Sequence, residues 1–159
     1  MLKPCLCGHN KPFAKCCGRF LTEGKLAKTP EQLMRSRYSA YALGGYGDYL
    51  LATWFSATAG ELTAAALSEK SVDWQGLEVL SSEQHGDKAT VEFKAHYLEI
   101  DSLEIDSLET DNQEPNNQES SSLEADNSQL QTLHEISVFQ RSAGRWLYVG
   151  GEVSSNLNR

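Results

Sequence analysis

Residues 29–45 read TPEQLMRSRYSAYALGG, and this run decides the first half of the fold. Thr29 is placed to cap a helix, Pro30 suits its first turn, and Met34, Tyr38, Tyr41 and Ala42 recur at helical spacing until Gly44-Gly45 ends the pattern. The spacing predicts an amphipathic helix over residues 31–43. Leu33, Arg37 and Tyr41 form a second ridge beside the apolar stripe, which draws the Arg37 guanidinium inward, where it needs an acceptor. Two roles follow from that position: an anchor to sheet-end carbonyls, Asp48 or Asp73, or a clamp for a bound anion or carboxylate.

Downstream, residues 48–54 and 62–68 carry two shorter helical patterns, separated by breaks at residues 55–60 and at Ser71. After Val72 the period changes. Residues 74–84, 88–97, 133–141 and 146–153 are β-prone, with the clearest alternation in Val91, Phe93, Ala95 and Tyr97. Gly86-Asp87 and Ala143-Gly144 fall where hairpin turns belong. Helices first and a strand meander second is an α+β order, with short helices covering one face of a curved antiparallel sheet. Residues 98–128 interrupt it: LEIDS occurs at Leu98 and Leu103, and LETDN follows. An odd five-residue period puts successive leucines on opposite faces of a strand, so residues 101–127 read as a disordered acidic insert in a hairpin loop.

The chain has 159 residues and a net charge of −8, and the charge is unevenly spread. Residues 99–128 hold ten acidic residues and no Lys or Arg, whereas residues 1–37 hold eight basic and two acidic ones. The basic start therefore says more about partners than the global charge does. The opening MLKPCLCGHN lacks the apolar run of a signal peptide and no segment is apolar enough to span a membrane, so a cytoplasmic protein without a membrane partner is expected.

Cys5, Cys7, Cys16 and Cys17 are all the cysteines of the chain, and they fall within thirteen residues. Four thiolates suit a closed tetrahedral zinc site, which leaves no position for a catalytic water; ligand type alone also admits iron. In a reducing compartment this outweighs disulfide pairing, and adjacent cysteines rarely bridge without strain. Gly8 and Gly18 follow the two ligand pairs and free the backbone to turn N–H groups toward sulfur. His9 is a competing nitrogen ligand or, next to Gly8, a solvent-facing loop residue. Residues 1–21 thus form a zinc knuckle, residues 22–30 a connector and residues 31–155 the main domain.

PCLCGHNKPFAKCCG, residues 4–18, resembles the SEC-C motif, in spacing and in Gly8, Lys11, Lys15 and Gly18; Leu6, His9 and Asn10 depart from its usual Pro, Ser and Gly. Residues 30–54, Trp74-Gln75-Gly76-Leu77 and GRWLYVGG at 144–151 resemble the YchJ family of bacterial proteins. That resemblance implies a SEC-C motif followed by a cone-shaped α+β domain of the nuclear-transport-factor-2-like fold, with zinc but no established reaction. It also implies a concavity at the wide end of the cone. The residues expected to line it are Arg35, Arg37, Tyr38, Tyr41, Trp54, Trp74 and His96, although the parity of His96 against Phe93 points it away from the helices.

No Ser-His-Asp set, phosphate loop, HExxH or paired-carboxylate motif is present, so no catalytic residue is assigned. The leading expectation is a non-enzymatic module whose zinc knuckle docks on a protein, as the SEC-C element of the secretion motor does with its chaperone. The alternatives are attachment to nucleic acid or the ribosome through the basic N-terminus, and a small-molecule-binding or isomerase-like cone, whose base would be Asp48, Asp73 or His96. A half-open sheet of this fold also implies a homodimer. Phe13, Phe20 and Leu21 are expected to lean on the helical domain, with metal ordering the N-terminus but not holding up the core.

Overall fold

The computed structural model describes residues 4–100 and 129–153. The expected disordered insert at residues 101–127 lies outside them. After a single turn at Phe13–Lys15 come five helices, α1 (Gly18–Leu21), α2 (Pro30–Leu43), α3 (Gly47–Ala52), α4 (Ser56–Ala59) and α5 (Ala64–Ser68). The strands β1 (Val72–His85), β2 (Lys88–Glu99), β3 (Gln131–Ser142) and β4 (Arg145–Val153) pair in sequence order as an antiparallel meander. The α+β architecture follows the sequence pattern closely. The additions are α1 and α4, single turns not expected from the sequence, the latter inside the expected break at residues 55–60.

Local chemistry sets the elements. The Thr29 hydroxyl accepts from the Gln32 amide at 3.1 Å, Pro30 occupies the first turn, and Gly44 (φ 77°) ends α2. Bulges between Trp74 and Gly76, between Val79 and Ser81, and at Val138/Phe139 add twist to the outer strands and curl the sheet around the helices. Val91, Phe93, Ala95, Ser137 and Phe139 point inward and are buried.

Helix α2 is the centre of the molecule. Leu33, Met34, Ser36, Arg37, Tyr38, Ser39 and Ala40 are all buried, which is more than one helical face. The sheet covers Tyr38, and α3 meets Ser36 and Arg37 through Tyr49 and Leu50. The N-terminal segment covers Ser39 and Arg35 through Cys5 and Cys7. The four cysteines belong to the same buried cluster as Leu33, Met34, Tyr38 and Leu77, so the N-terminal element is a wall of the core. Among the described residues, no helix is long and apolar enough to cross a membrane.

Candidate metal centre and ligand cavity

The tight backbone of residues 5–18 gathers the cysteines. The Cys5 amide bonds the Lys11 carbonyl at 2.7 Å, closing the first loop, and the Cys16 amide bonds the Phe13 carbonyl at 2.9 Å. Gly8 has φ 98°, and a Cβ there would press on the Leu77 carbonyl and Arg35 Nη1, so its loop both turns left-handed and lies flat on the domain. Gly18 serves differently from the expectation: a Cβ would meet the Phe13 carbonyl and ring, so close packing is what requires glycine there.

One sulfur from each of Cys5, Cys7, Cys16 and Cys17 lies within 4.8 Å of all the others, and all four residues are buried. A tetrahedral metal with ligand bonds of ~2.3 Å sets its sulfurs ~3.8 Å apart. The Cys7–Cys16 separation is 3.6 Å, and the donor set therefore fits a closed four-coordinate metal. Burial pushes the Cys16 thiol up to about 12, with Cys7 adding to the shift. Cys17 is pushed up first by its contacts with Cys5 and Cys7, while Cys5 is drawn down by the same contact with Cys17. One thiol thus ionises at its neighbour's expense unless a cation neutralises the group.

Around the sulfurs, Ser39 Oγ lies 3.8 Å from Cys5 Sγ and His9 Nδ1 lies 3.6 Å from Cys16 Sγ. Burial, helped by Arg35 and Lys11, holds His9 below its usual value, and the half-buried ring meets the Cys16 sulfur. Arg35 donates from Nη1 to the Cys7 carbonyl at 2.6 Å and from Nε to Glu31 at 2.9 Å. Its placement in the ligand cavity is thereby corrected: Arg35 ties the metal loop to α2.

A cavity of about 220 Å³ opens between α2 and the inner face of the sheet. Arg37, Tyr38, Tyr41 and Trp74 line it, as expected from sequence, together with Met34, Phe93, Phe139, Ser137, Glu135 and Tyr148. Trp54 and His96 are absent from the lining. Trp54 packs edge-on to Tyr148 at 5.0 Å and beneath the Arg37 guanidinium at 4.8 Å. His96 sits on the outer face, bridging Glu78 and Thr132 at 2.9 Å each, as its parity indicated. Asp48 and Asp73 are exposed and outside the lining.

Arg37 is buried, and Nη1 donates to the Leu50 carbonyl at 2.8 Å and the Thr53 hydroxyl at 2.6 Å. Its guanidinium is held between the Trp54 and Tyr148 rings. Helix-end groups of α3, and neither sheet-end carbonyls nor Asp48 or Asp73, are thus its acceptors. Burial lowers its pKa, an effect opposed by Tyr41, Tyr148, Tyr49 and Glu135.

Glu135 is the residue that sequence reasoning missed. Its carboxylate accepts from the Tyr148 hydroxyl at 3.0 Å, and burial pushes its pKa above the usual carboxylate range despite that bond. It reaches into the cavity across Gly151, where a Cβ would run into the carboxylate. The signal was in the sequence: Leu133, Glu135, Ser137 and Phe139 share one strand parity, and an acid on the parity that ends in a buried phenylalanine is a misfit with a purpose.

A family model described as the YchJ middle NTF2-like domain matches residues 29–151. A UPF0225 protein of Chromobacterium violaceum is 36% identical over 154 residues, covering 94% of this chain and 93% of its own. A UPF0225 protein of Streptomyces coelicolor is 32% identical over 152 residues, covering 94% of each. The solution structure of a SEC-C motif containing protein from Rhodopseudomonas palustris superposes with a TM-score of 0.72 at 29% identity, over 96% of this chain and 99% of that one. A crystal structure of a SEC-C motif containing protein from Psychrobacter arcticus shares the fold with a TM-score of 0.63 at 24% identity, over 99% of this chain and 85% of that one.

Proposed function

The chain belongs to the YchJ family, and from that premise we propose that it is a zinc-stapled binding protein whose functional pocket is the cone cavity. The observation that carries the reading is Glu135: a carboxyl group kept on the wall of a mostly apolar cavity, bonded to Tyr148 and held above its usual pKa by burial. Burial outweighs the hydroxyls of Tyr148 and Ser137 and the charge of Arg37, which favour the ionised form, so the acid still lacks full compensation inside the protein. A bound molecule that donates a hydrogen bond, or carries a positive charge, supplies that compensation.

The cavity is smaller than the ~300–1,000 Å³ of drug-sized sites, so the ligand class is a small, largely apolar molecule with one donor group. The ring edges and faces of Tyr38, Trp74 and Phe139 receive its apolar body, and Glu135 fixes its polar end. Arg37 already spends two donors on Leu50 and Thr53, which supports an anchoring role over an anion clamp.

Zinc is the metal best suited to four thiolates without an open position. The N-terminal element acts in this reading as a staple across α2, since its sulfurs are buried among core residues. Saturation-transfer NMR on the full chain with phenol, benzylamine and benzoate tests the pocket. Phenol and benzylamine are expected to bind the wild-type protein and to lose binding in Glu135→Ala. Preferential binding of benzoate, lost in an Arg37 variant, would overturn the assignment of Glu135 and restore the anion clamp.

A further inference from the structure

We infer that a second site, the groove between the N-terminal segment and the β3–β4 hairpin, binds an acidic, leucine-bearing polypeptide segment of a partner protein. One wall carries Arg19, Lys25 and Lys28, and the other carries Arg141; among the described residues no carboxylate lines the groove. Arg141 gives Nε to Asp87 at 2.8 Å, and Arg19 gives Nε to the Cys16 carbonyl at 3.0 Å, while Lys25 and Lys28 are exposed. The apolar contact surface is Leu26, which is 54% exposed; Phe20 and Trp146 also line the groove but are buried.

The same geometry selects a peptide over a nucleic acid. A single strand needs aromatic faces for its bases, but the Phe20 and Trp146 rings are buried and already faced by the guanidinium groups of Arg19 (4.7 Å) and Arg141 (4.9 Å). Cations around the exposed Leu26 match Asp and Glu flanking Leu, with the charges setting the approach and the leucine giving the anchor. The chain's own acidic run leaves and re-enters the sheet at the other end, where Val72 pairs with Glu99 and Tyr97 with Gln131.

Fluorescence anisotropy on the full, metal-loaded chain decides the matter. Its probes are a labelled Asp-Leu-Glu-Glu-Leu-Asp-Glu-Leu peptide, a polyglutamate of equal charge and a uridine oligonucleotide. The leucine-bearing peptide is expected to bind at least about tenfold more tightly than polyglutamate, and the Lys25→Glu/Lys28→Glu double variant to weaken it by about tenfold or more. Leu26→Ser should weaken the peptide and leave polyglutamate unchanged. All three side chains altered in these variants are exposed, so unchanged melting curves are the folding control. Tighter binding of the oligonucleotide, equal binding of both peptides, or peptide binding indifferent to the lysine reversals would each overturn the inference.

Discussion

Removing the metal should lower the stability of the whole domain, not only loosen its first twenty residues. Small zinc sites draw about 10–16 kcal/mol of apparent binding free energy into the order of their ligand loops, far more than residues 4–21 obtain from burial. Without metal that segment detaches, and its packing is lost with it. Phe20 is 5% exposed, and uncovering it costs about 2–3 kcal/mol; partial exposure of Leu33, Met34 and Leu77, which share the cysteine cluster, adds about 2 kcal/mol. The sum of about 4–5 kcal/mol is a large part of the ~5–15 kcal/mol that holds a domain together. At about 4 °C per kcal/mol for a domain of this size, the melting temperature should fall by roughly 15–20 °C. Circular dichroism melts with and without a strong chelator, together with limited proteolysis read by mass spectrometry, measure this. Cleavage should spread past Pro30 into α2. An unchanged melting temperature, with cuts confined to the residues before Pro30, would refute the shared-core reasoning and show an autonomous knuckle.

Elemental analysis of protein purified under reducing, chelator-free conditions should give one zinc per chain, with loss in Cys16→Ser; iron in its place would change the metal but not the ligands. Glu135→Gln should raise the melting temperature at pH 7.5 and have no effect near pH 4. The folded carboxyl has a raised pKa, so its stabilising proton is fully present below the unfolded value of about 4.3 and is lost as pH climbs through the folded one. Gly151→Ala should abolish ligand binding in the NMR assay while the melt stays near wild type, because the added methyl displaces Glu135 from Tyr148 without touching the core. Gly47→Ala should be severe, by about 1–3 kcal/mol or more: its Cβ would overlap the Ala64 carbonyl and the change disturbs the 2.7 Å bond from the Gly47 amide to Ser68 Oγ.

The strand meander was legible because alternation has one cause, a sheet with one face buried, and Val91, Phe93 and Ala95 obey it. The clustering of the four cysteines was legible because four thiols in a short run leave few other uses. Helix α2 was read correctly in extent but not in surroundings. Its Arg35-Ser36-Arg37 run looks half polar, yet Ser36 and Ser39 are fully buried because small hydroxyl side chains let α3 and the metal loop approach closely. Ser36 satisfies itself against the Leu33 carbonyl and the Tyr49 hydroxyl. Arg35 and Arg37, two residues apart, consequently serve opposite compartments, one the metal loop and the other α3 and the cavity. Periodicity ranks residues by polarity, and it fails where polar groups find their partners inside the protein.

A helix enclosed on three sides has almost no surface on which substitutions are harmless. Adding even a methyl group at Ser36 or Ser39 pushes α2 off α3 or off the cysteine loop, and no neighbouring solvent absorbs the volume. Relatives differ from this chain at about two positions in three, and α2 is expected to carry few of those differences. The outer face of the sheet offers that room, since Leu80, Ile136 and Val138 all stand well exposed there. Tolerance to substitution should therefore rise outward from this buried helix, so that a library mutating α2 returns few survivors while one mutating the sheet's outer face returns many.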